Sequence, residues 1–148
     1  MAENVQRIVD SVIELWNTGN PEVAKKLYSD NAQRTDPNQA SGARGSQEIS
    51  RYVAEVRAEF PDLKLQVNEK VHEGNLLVTH WTCTGTHRGD FQGIPATGKR
   101  VNISGVAFAR IENGKVTDER TYFDRLLMLE QLGVAPVAMK RESSVSGN

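Results

Sequence analysis

Two side chains in this sequence have the type and position for acid/base chemistry, Asp124 and His80. Asp124 lies between a predicted strand and a short predicted helix. In an apolar cavity its carboxyl group would favour the protonated form and titrate closer to neutrality. His80 lies in the middle of a predicted strand, where an imidazole facing a cavity can orient a carbonyl group or exchange a proton. Either role requires a side chain that points into a cavity.

Both residues also have simpler interpretations. Aspartate is favoured at helix N-caps, where it contributes about 1 kcal/mol by accepting an amide hydrogen bond. Strand alternation places Asp124 on the same face as Arg120 and Tyr122. His80 can equally be a solvent-facing residue of a sheet, because alternation does not reveal which face is concave. From the residues alone, both alternatives stay open for both side chains.

The other polar candidates point to structural roles. His87 belongs to a glycine-rich segment, and we expect its ring to hold the loop from Gly89 to Gly98 against a strand. Asp36 precedes a proline and is interpreted as a turn former. Cys83 is interpreted as a small buried strand residue. The histidines and the single cysteine lack the short spacing of metal ligands, so no metal and no cofactor is expected.

Composition sets the class of protein. The chain has 148 residues, of which 38% are hydrophobic and 25% charged, as expected for one globular domain. The net charge of -1, with scattered basic residues, argues against a nucleic-acid partner. The sequence shows no signal peptide and no membrane-spanning segment, and a single cysteine allows no internal disulfide, so the cytoplasm is the expected location.

The first half of the chain is predicted to be helical. Apolar residues from Val5 to Trp16 recur at helical spacing and predict a first helix that ends near Asn17 to Gly19. Asn20 and Pro21 predict the start of a second helix. Residues 29–45 are predicted to be mostly loop, with at most a short strand near Ala32 to Thr35, before a third helix capped by Ser46.

The second half is predicted to be a sheet. From Leu63 the apolar residues alternate, and a turn at residues 73–75 leads into a second long strand. Asn113-Gly114 predicts a tight hairpin between two further antiparallel strands. A short helix follows, with Gly133 at its end. Helices followed by antiparallel strands predict an α+β fold in which a curved sheet wraps the helices.

Two segments carry a family resemblance. They are the loop Gly85–Lys99, which reads GTHRGDFQGIPATGK, and Asp124 ahead of LLMLEQLG. Together they resemble the signature of the SnoaL-like polyketide cyclases, or ester cyclases, of the nuclear transport factor 2-like superfamily. The resemblance extends from the Trp16 helix end to Gly133. It implies one cone-shaped domain over residues 1–134 with a deep apolar pocket. From the residues themselves, 135–148 are expected to form a partly disordered C-terminal tail.

The resemblance also implies roles for residues. Asp124 matches the proposed catalytic acid/base of these cyclases, and His80 would assist it. The family also implies a homodimer formed through the outer sheet face. The pocket is expected to be lined by apolar and aromatic side chains, and the candidates for substrate contact are Trp16, Tyr28, Tyr52, Phe60, Trp81, Phe91, Ile94, Phe108 and Tyr122.

The leading functional hypothesis is therefore a cofactor-independent enzyme that closes a ring by intramolecular aldol chemistry on a small apolar carbonyl compound. An epoxide hydrolase of the limonene type, in which an arginine bridges two aspartates that activate water, ranks second because no second inward aspartate is evident. The third hypothesis is a non-catalytic binding or dimerisation module. It is favoured if Asp124 serves only as a cap and His80 faces solvent.

Overall fold

The structure, a computed structural model, describes residues 2–134. The predicted tail over residues 135–148 lies outside this range. The elements in chain order are α1 (Ala2–Thr18), α2 (Pro21–Leu27), β1 (Tyr28–Asp36), β2 (Gln39–Arg44), α3 (Gly45–Glu59), β3 (Lys64–Glu73), β4 (Leu76–Thr86), β5 (Arg100–Glu112), β6 (Lys115–Phe123) and α4 (Arg125–Gln131).

The helices form where the apolar spacing predicts them. The buried stripe of α1 includes Ile8, Val9 and Leu15, and α2 begins at Pro21 with Asn20 as its N-cap. The cap predicted for α3 is wrong, because Arg44 occupies the N-cap position without a side-chain hydrogen bond. The chain enters α3 through Gly45, whose positive φ of 79° is a conformation that glycine adopts without strain.

Residues 29–45, predicted to be mostly loop, form two strands instead. β1 pairs in parallel with β6 and antiparallel with β2, so the six-stranded sheet has the order β2-β1-β6-β5-β4-β3. The prediction failed because β1 carries polar residues on its buried face. Arg34 and Asp36 occupy positions where a strand pattern would normally show apolar residues.

The remaining strands follow the predicted pattern. β3, β4, β5 and β6 pair antiparallel in sequence order, and Asn113 and Gly114 form the predicted hairpin with positive φ values of 51° and 76°. The inner sheet face presents alternate residues such as Trp81, Ile103 and Thr121. The outer face presents the residues between them. Because successive strand residues face opposite sides of the sheet, a candidate residue can reach the interior only if it lies on the inner face.

The helices cover the inner sheet face and enclose the core. One apolar cluster joins α1, α2 and α3 to the sheet, and a second surrounds Phe60, Trp81 and Met128 at the α4 end. Burial of these side chains stabilises the fold by roughly 25 cal/mol per Å² of apolar surface removed from water. The helices described between residues 2 and 134 include none that is long and apolar enough to cross a bilayer.

Candidate functional site

A cavity of about 110 Å³ lies between α1, α3 and the inner face of the sheet. Its wall is mainly apolar and includes Val12, Leu65, Trp81, Ile103 and Met128. The charged side chains at the wall belong to Arg34, Asp36, Glu59 and Glu119. An apolar hollow with a few polar groups is the usual form of a small-molecule site. The chemistry available to a ligand depends on how these four side chains are arranged.

Arg34 is the centre of a buried charged cluster. Its Nη1 atom donates to Asp36 Oδ2 at 2.6 Å, and its Nε atom donates to Glu119 Oε1 at 3.1 Å. The three residues are each at most 6% exposed. The guanidinium also lies over the rings of Trp16 and Tyr52, with Cζ at 5.1 and 5.5 Å from the ring centroids. Arg34 therefore bridges two carboxylates and is fixed by two aromatic faces.

Two tyrosines complete the cluster. Tyr28 donates its hydroxyl proton to Glu119 at 2.5 Å, and Tyr52 donates to Asp36 Oδ2 at 2.8 Å. Burial, followed by the negative charge of the carboxylate each contacts, raises the pKa of both hydroxyl groups well above the ordinary value. Both tyrosines are therefore neutral hydrogen-bond donors at physiological pH.

The pKa of Arg34 is also raised. Burial acts to lower it, but the attraction of Glu119 and then of Asp36 outweighs burial. Arg34 thus keeps its positive charge inside the protein. A buried charge of this kind is tolerated when it is paired and hydrogen-bonded.

The two carboxylates differ in how many partners they have. Asp36 accepts from Arg34 and Tyr52, and its Oδ1 atom also accepts from the backbone amides of Asn38 and Gln39. Glu119 accepts through Oε1, whereas its Oε2 atom has no hydrogen-bond partner among residues 2–134. Glu119 lines the cavity, so Oε2 is the carboxylate oxygen of the cluster that a ligand can engage.

Glu59, at the C-terminal end of α3, is the fourth charged group of the wall. Its carboxyl group is half-buried and makes no hydrogen bond or ion pair within the described chain. Burial in the apolar wall, then the negative charges of Glu55 and Asp90, raises its pKa to about 7. Sequence reasoning did not identify this residue.

Asp124 does not point into the cavity. It is the N-cap of α4, its Oδ1 atom accepts from the Leu127 amide at 3.0 Å, and its side chain is exposed. The expected placement at the pocket is therefore wrong, and the capping interpretation is confirmed. The physical reason is strand parity, because Arg120 and Tyr122, on the same alternation, occupy the outer sheet face.

His80 also lies on the outer face. Its neighbours Thr79 and Trp81 contribute to the cavity wall, and His80 points the other way, with a side chain that is 44% exposed. Its Nδ1 atom is 3.9 Å from Glu69 Oε1, an exposed carboxylate. The expectation that His80 faces the cavity is wrong, and the solvent-facing interpretation is confirmed.

Of the nine residues expected to contact substrate, five line the cavity: Trp16, Tyr52, Phe60, Trp81 and Phe91. The other four do not. Tyr28 is buried behind Glu119, and Ile94 supports Phe91 from the loop. Phe108 and Tyr122 contact each other on the outer sheet face, because their strand positions carry the opposite parity. The expectation that these four residues line the cavity is therefore wrong.

The loop between β4 and β5 closes one side of the cavity. As expected, His87 holds it: the fully buried ring accepts from the Thr97 amide through Nδ1 at 3.2 Å. Gln92 joins this loop to its surroundings, because it donates to the Asn38 carbonyl at 2.9 Å and accepts from Arg125 at 2.7 Å. These contacts connect the loop, the β1–β2 turn and α4 beside the cavity.

The residues that sequence reasoning missed are Arg34, Asp36 as a cavity carboxylate, Glu119 and Glu59. Alternation groups Glu119 with Thr121 and Phe123 along β6, but it does not show that this face is the inner one. The turn-forming role expected for Asp36 is confirmed by the amides it binds. Arg34 gave no signal, because its role depends on a strand pairing that the sequence pattern did not reveal.

Within residues 2–134 no group of three or more His, Cys, Asp or Glu side chains is arranged to hold a metal ion. Cys83 lines the cavity, and burial raises the pKa of its thiol to about 12. Its sulfur is therefore a protonated, weakly reactive part of the wall.

The family model of the SnoaL-like polyketide cyclases matches residues 6–132. The chain belongs to this family. It is 27% identical over 128 residues to the aklanonic acid methyl ester cyclase DnrD of Streptomyces peucetius, an alignment that covers 85% of this chain and 88% of DnrD. The family resemblance inferred from the Gly85–Lys99 loop and the C-terminal segment is thereby confirmed.

Solved structures support the fold assignment. TsrD from Streptomyces laurentii superposes with a TM-score of 0.80 at 24% identity, covering 88% of this chain and 96% of TsrD. A protein of ketosteroid isomerase-like fold from Catenulispora acidiphila superposes with a TM-score of 0.75 at 16% identity, covering 86% of this chain and 92% of that one. The SnoaL-like chain thus has the predicted nuclear transport factor 2-like α+β fold.

Proposed function

We propose that this protein is a polyketide cyclase that closes a ring by an intramolecular aldol reaction on a small, largely apolar carbonyl compound. The observation that carries the proposal is the open Oε2 atom of Glu119 beside the fixed guanidinium of Arg34 at the wall of an apolar cavity. The family and the similarity to DnrD support the same reaction class. Asp124 and His80 have no role in the proposed mechanism, because neither side chain lines the cavity.

In the proposed reaction, Glu119 removes the proton from a carbon that lies between two carbonyl groups. Arg34 donates hydrogen bonds to the developing enolate oxygen through its Nη2 atom, which has no partner among the described residues and belongs to a side chain at a mainly apolar cavity wall. The enolate carbon attacks a second carbonyl of the same molecule, and the new alkoxide oxygen takes up a proton. The walls hold the chain folded, which supplies proximity.

The test is Glu119→Gln, assayed with the methyl ester of aklanonic acid and related carbonyl compounds. The amide oxygen can still accept from Tyr28 and Arg34, but it cannot take the proton from carbon. We expect ligand binding to be retained and kcat to fall by about 10²- to 10⁴-fold. Binding is followed by the fluorescence of the two tryptophans, Trp16 and Trp81, which both line the cavity.

Asp118→Asn is the matched control for this variant. Asp118 is the preceding residue of β6, and its carboxylate pairs with Arg120 at 3.4 Å on the outer face. Asp124→Asn is the second control. We expect both to retain kcat within about twofold. Normal turnover by Glu119→Gln, or an equal loss in Asp118→Asn, would contradict the assignment of Glu119 as the base.

A second candidate function is epoxide hydrolysis, and one observation favours it. The arginine-bridged pair of carboxylates that the sequence did not reveal exists here as Asp36, Arg34 and Glu119. Such a pair can activate a water molecule. Turnover in H₂¹⁸O distinguishes the two reactions, because hydrolysis of an epoxide incorporates ¹⁸O into the product and aldol ring closure does not form a bond to water.

The non-catalytic alternative also has support, since Asp124 is a cap and His80 faces solvent. The proposal of an enzyme rests instead on Glu119. The binding module is the better assignment if the wild type and Glu119→Gln bind carbonyl compounds with the same affinity and the wild type converts none of them.

We also propose that the protein forms a homodimer through its outer sheet face. An apolar strip crosses this face and consists of Val71, Val78, Val106, Phe108 and Tyr122. Val71 and Tyr122, at the two ends of the strip, are 66% and 55% exposed, which is high for large apolar residues. A second copy that covers this strip would remove it from water.

A further inference from the structure

Glu59 is a cavity carboxyl group for which the reaction outlined above has no role. It lies seven residues after Tyr52 on α3, so the two side chains share one helix face about 10 Å apart along the axis. Tyr52 belongs to the Arg34 cluster through Asp36. The cavity therefore has two carboxylates at its Arg34 end, Asp36 and Glu119, and a third carboxyl group near the C-terminal end of α3.

The position of Glu59 is fixed by backbone contacts. Its carbonyl oxygen accepts from the amides of Arg88 and Gly89 at 2.9 and 3.2 Å. Gly89 packs so closely that an added Cβ would lie 2.6 Å from the Ala58 carbonyl oxygen. The loop is thus held against the end of α3, and Glu59 lines the cavity while remaining partly exposed to solvent.

The charges around Glu59 do not favour an ionised carboxylate. Glu55 on α3 and Asp90 on the loop are both negative and act on it, while the side chain of Arg88 is exposed. Tyr52 is neutral, and across the cavity the positive charge of Arg34 is already shared between Asp36 and Glu119. The buried ring of His87 faces Phe60 and Phe91.

We propose that Glu59 is the catalytic acid of this cavity, which donates its proton to a carbonyl oxygen of the ligand. The inference rests on the proposed aldol function and extends it. Glu119 takes the proton from carbon as the enolate forms. As the new carbon–carbon bond closes, the second carbonyl oxygen takes the proton of Glu59. After the product leaves, water that enters the cavity returns a proton to Glu59 and accepts the one from Glu119, so no atom is gained or lost.

The pKa of about 7 is consistent with this role, because a general acid works best when its pKa lies near the operating pH. Two carboxyl groups in one cavity whose surroundings differ are the usual basis for a division into acid and base.

The test that does not depend on turnover uses 1-tetralone, an aromatic ketone with no titrating group. Binding is followed by tryptophan fluorescence between pH 5 and pH 9. In the wild type, a neutral Glu59 donates to the ketone oxygen, so we expect affinity to fall by about two- to tenfold as pH rises through about 7. In Glu59→Gln the amide donates at every pH, and the affinity should not change.

Glu55→Gln is the matched control on the same helix, with an exposed side chain that does not line the cavity. It should keep the pH dependence but move its midpoint to lower pH, because one of the charges that raise the Glu59 pKa is removed. Absence of binding, a pH-independent affinity in the wild type, or the same pH dependence in Glu59→Gln would each overturn the proposal.

Turnover gives the second measurement. The wild-type kcat should fall as pH rises through about 7. In Glu59→Gln this pH dependence should disappear, and kcat should be lower by about 10²-fold or more. Unchanged kcat in Glu59→Gln, beside a working wild type, overturns the catalytic role. A wild type that binds the ketone with the expected pH dependence but cyclises nothing overturns the proposed reaction and leaves Glu59 as a proton donor to bound carbonyl groups.

Discussion

Arg34 determines what the individual residues of the site can do. Its two carboxylate partners and two aromatic neighbours leave little freedom for the guanidinium, and a rigid donor stabilises a developing negative charge better than a mobile one. Lysine could not replace it, since a single ammonium group cannot bridge two carboxylates in this fork geometry.

Glu59 makes the stability of the folded protein fall as pH rises. Its pKa is about 7 in the folded state against an ordinary value of 4.5, so the folded protein binds this proton more tightly than the unfolded chain. The stabilisation is complete below pH 4.5 and is lost as pH rises through about 7. Thermal melts across this range should show the wild type losing stability relative to Glu59→Gln.

Glu55→Gln provides the comparison for these melts. This variant removes a negative charge beside Glu59, so the loss of stability with rising pH should be smaller than in the wild type. Melting curves for the wild type and Glu59→Gln that stay a constant distance apart from pH 4.5 to pH 8 would refute a raised pKa at this position.

Helix α4 shows how one residue can serve an element rather than a reaction. Asp124 satisfies the Leu127 amide at the first turn of a helix of seven residues. We expect Asp124→Ala to lower the free energy of unfolding by about 1 kcal/mol, measured by urea denaturation. Asp124→Asn should retain nearly all of it, because asparagine caps helices equally well. Equal losses in both variants would argue against capping as the role of Asp124.

The elements differ in how far the sequence predicts them. The α1 stripe and the Asn113-Gly114 hairpin are local patterns, and both are confirmed. Most of β1 was missed because it pairs with the distant β6 and its inward residues include charges. β2 was missed because it is an edge strand without an alternating apolar pattern. The same difficulty hid the site: Glu119 belongs to a predicted strand, but only the closed sheet shows that its face is the inner one.

At the scale of the whole molecule, the two faces of the sheet have different functions. The inner face lines the cavity, and the outer face carries the apolar strip proposed to bind a second copy. Tyr122→Lys places a charge within the strip, so the dimer dissociation constant should rise at least about tenfold. Tyr122→Phe is the matched control and should stay dimeric. Light scattering decides between them, and a monomeric wild type would remove the dimer proposal.

Family membership and fold were predictable at this scale because they depend on segments spread along the chain. The Gly85–Lys99 loop and the Asp124 segment both belong to the matched region, residues 6–132. The resemblance placed Asp124 correctly at the start of α4 but not its side chain at the cavity. A motif fixes the order of residues along a chain, whereas the direction of a side chain depends on the twist and pairing of the strand before it.

The parallel pairing of β1 with β6 has a consequence for biosynthesis. Tyr28 and Arg34 meet Glu119 across sequence separations of 91 and 85 residues, so these contacts cannot form before β6 has been synthesised. A nascent chain that ends before Glu119 holds Arg34 and Asp36 without their second carboxylate. Ribosome-bound fragments of increasing length should therefore acquire ligand affinity abruptly, once β6 has left the exit tunnel.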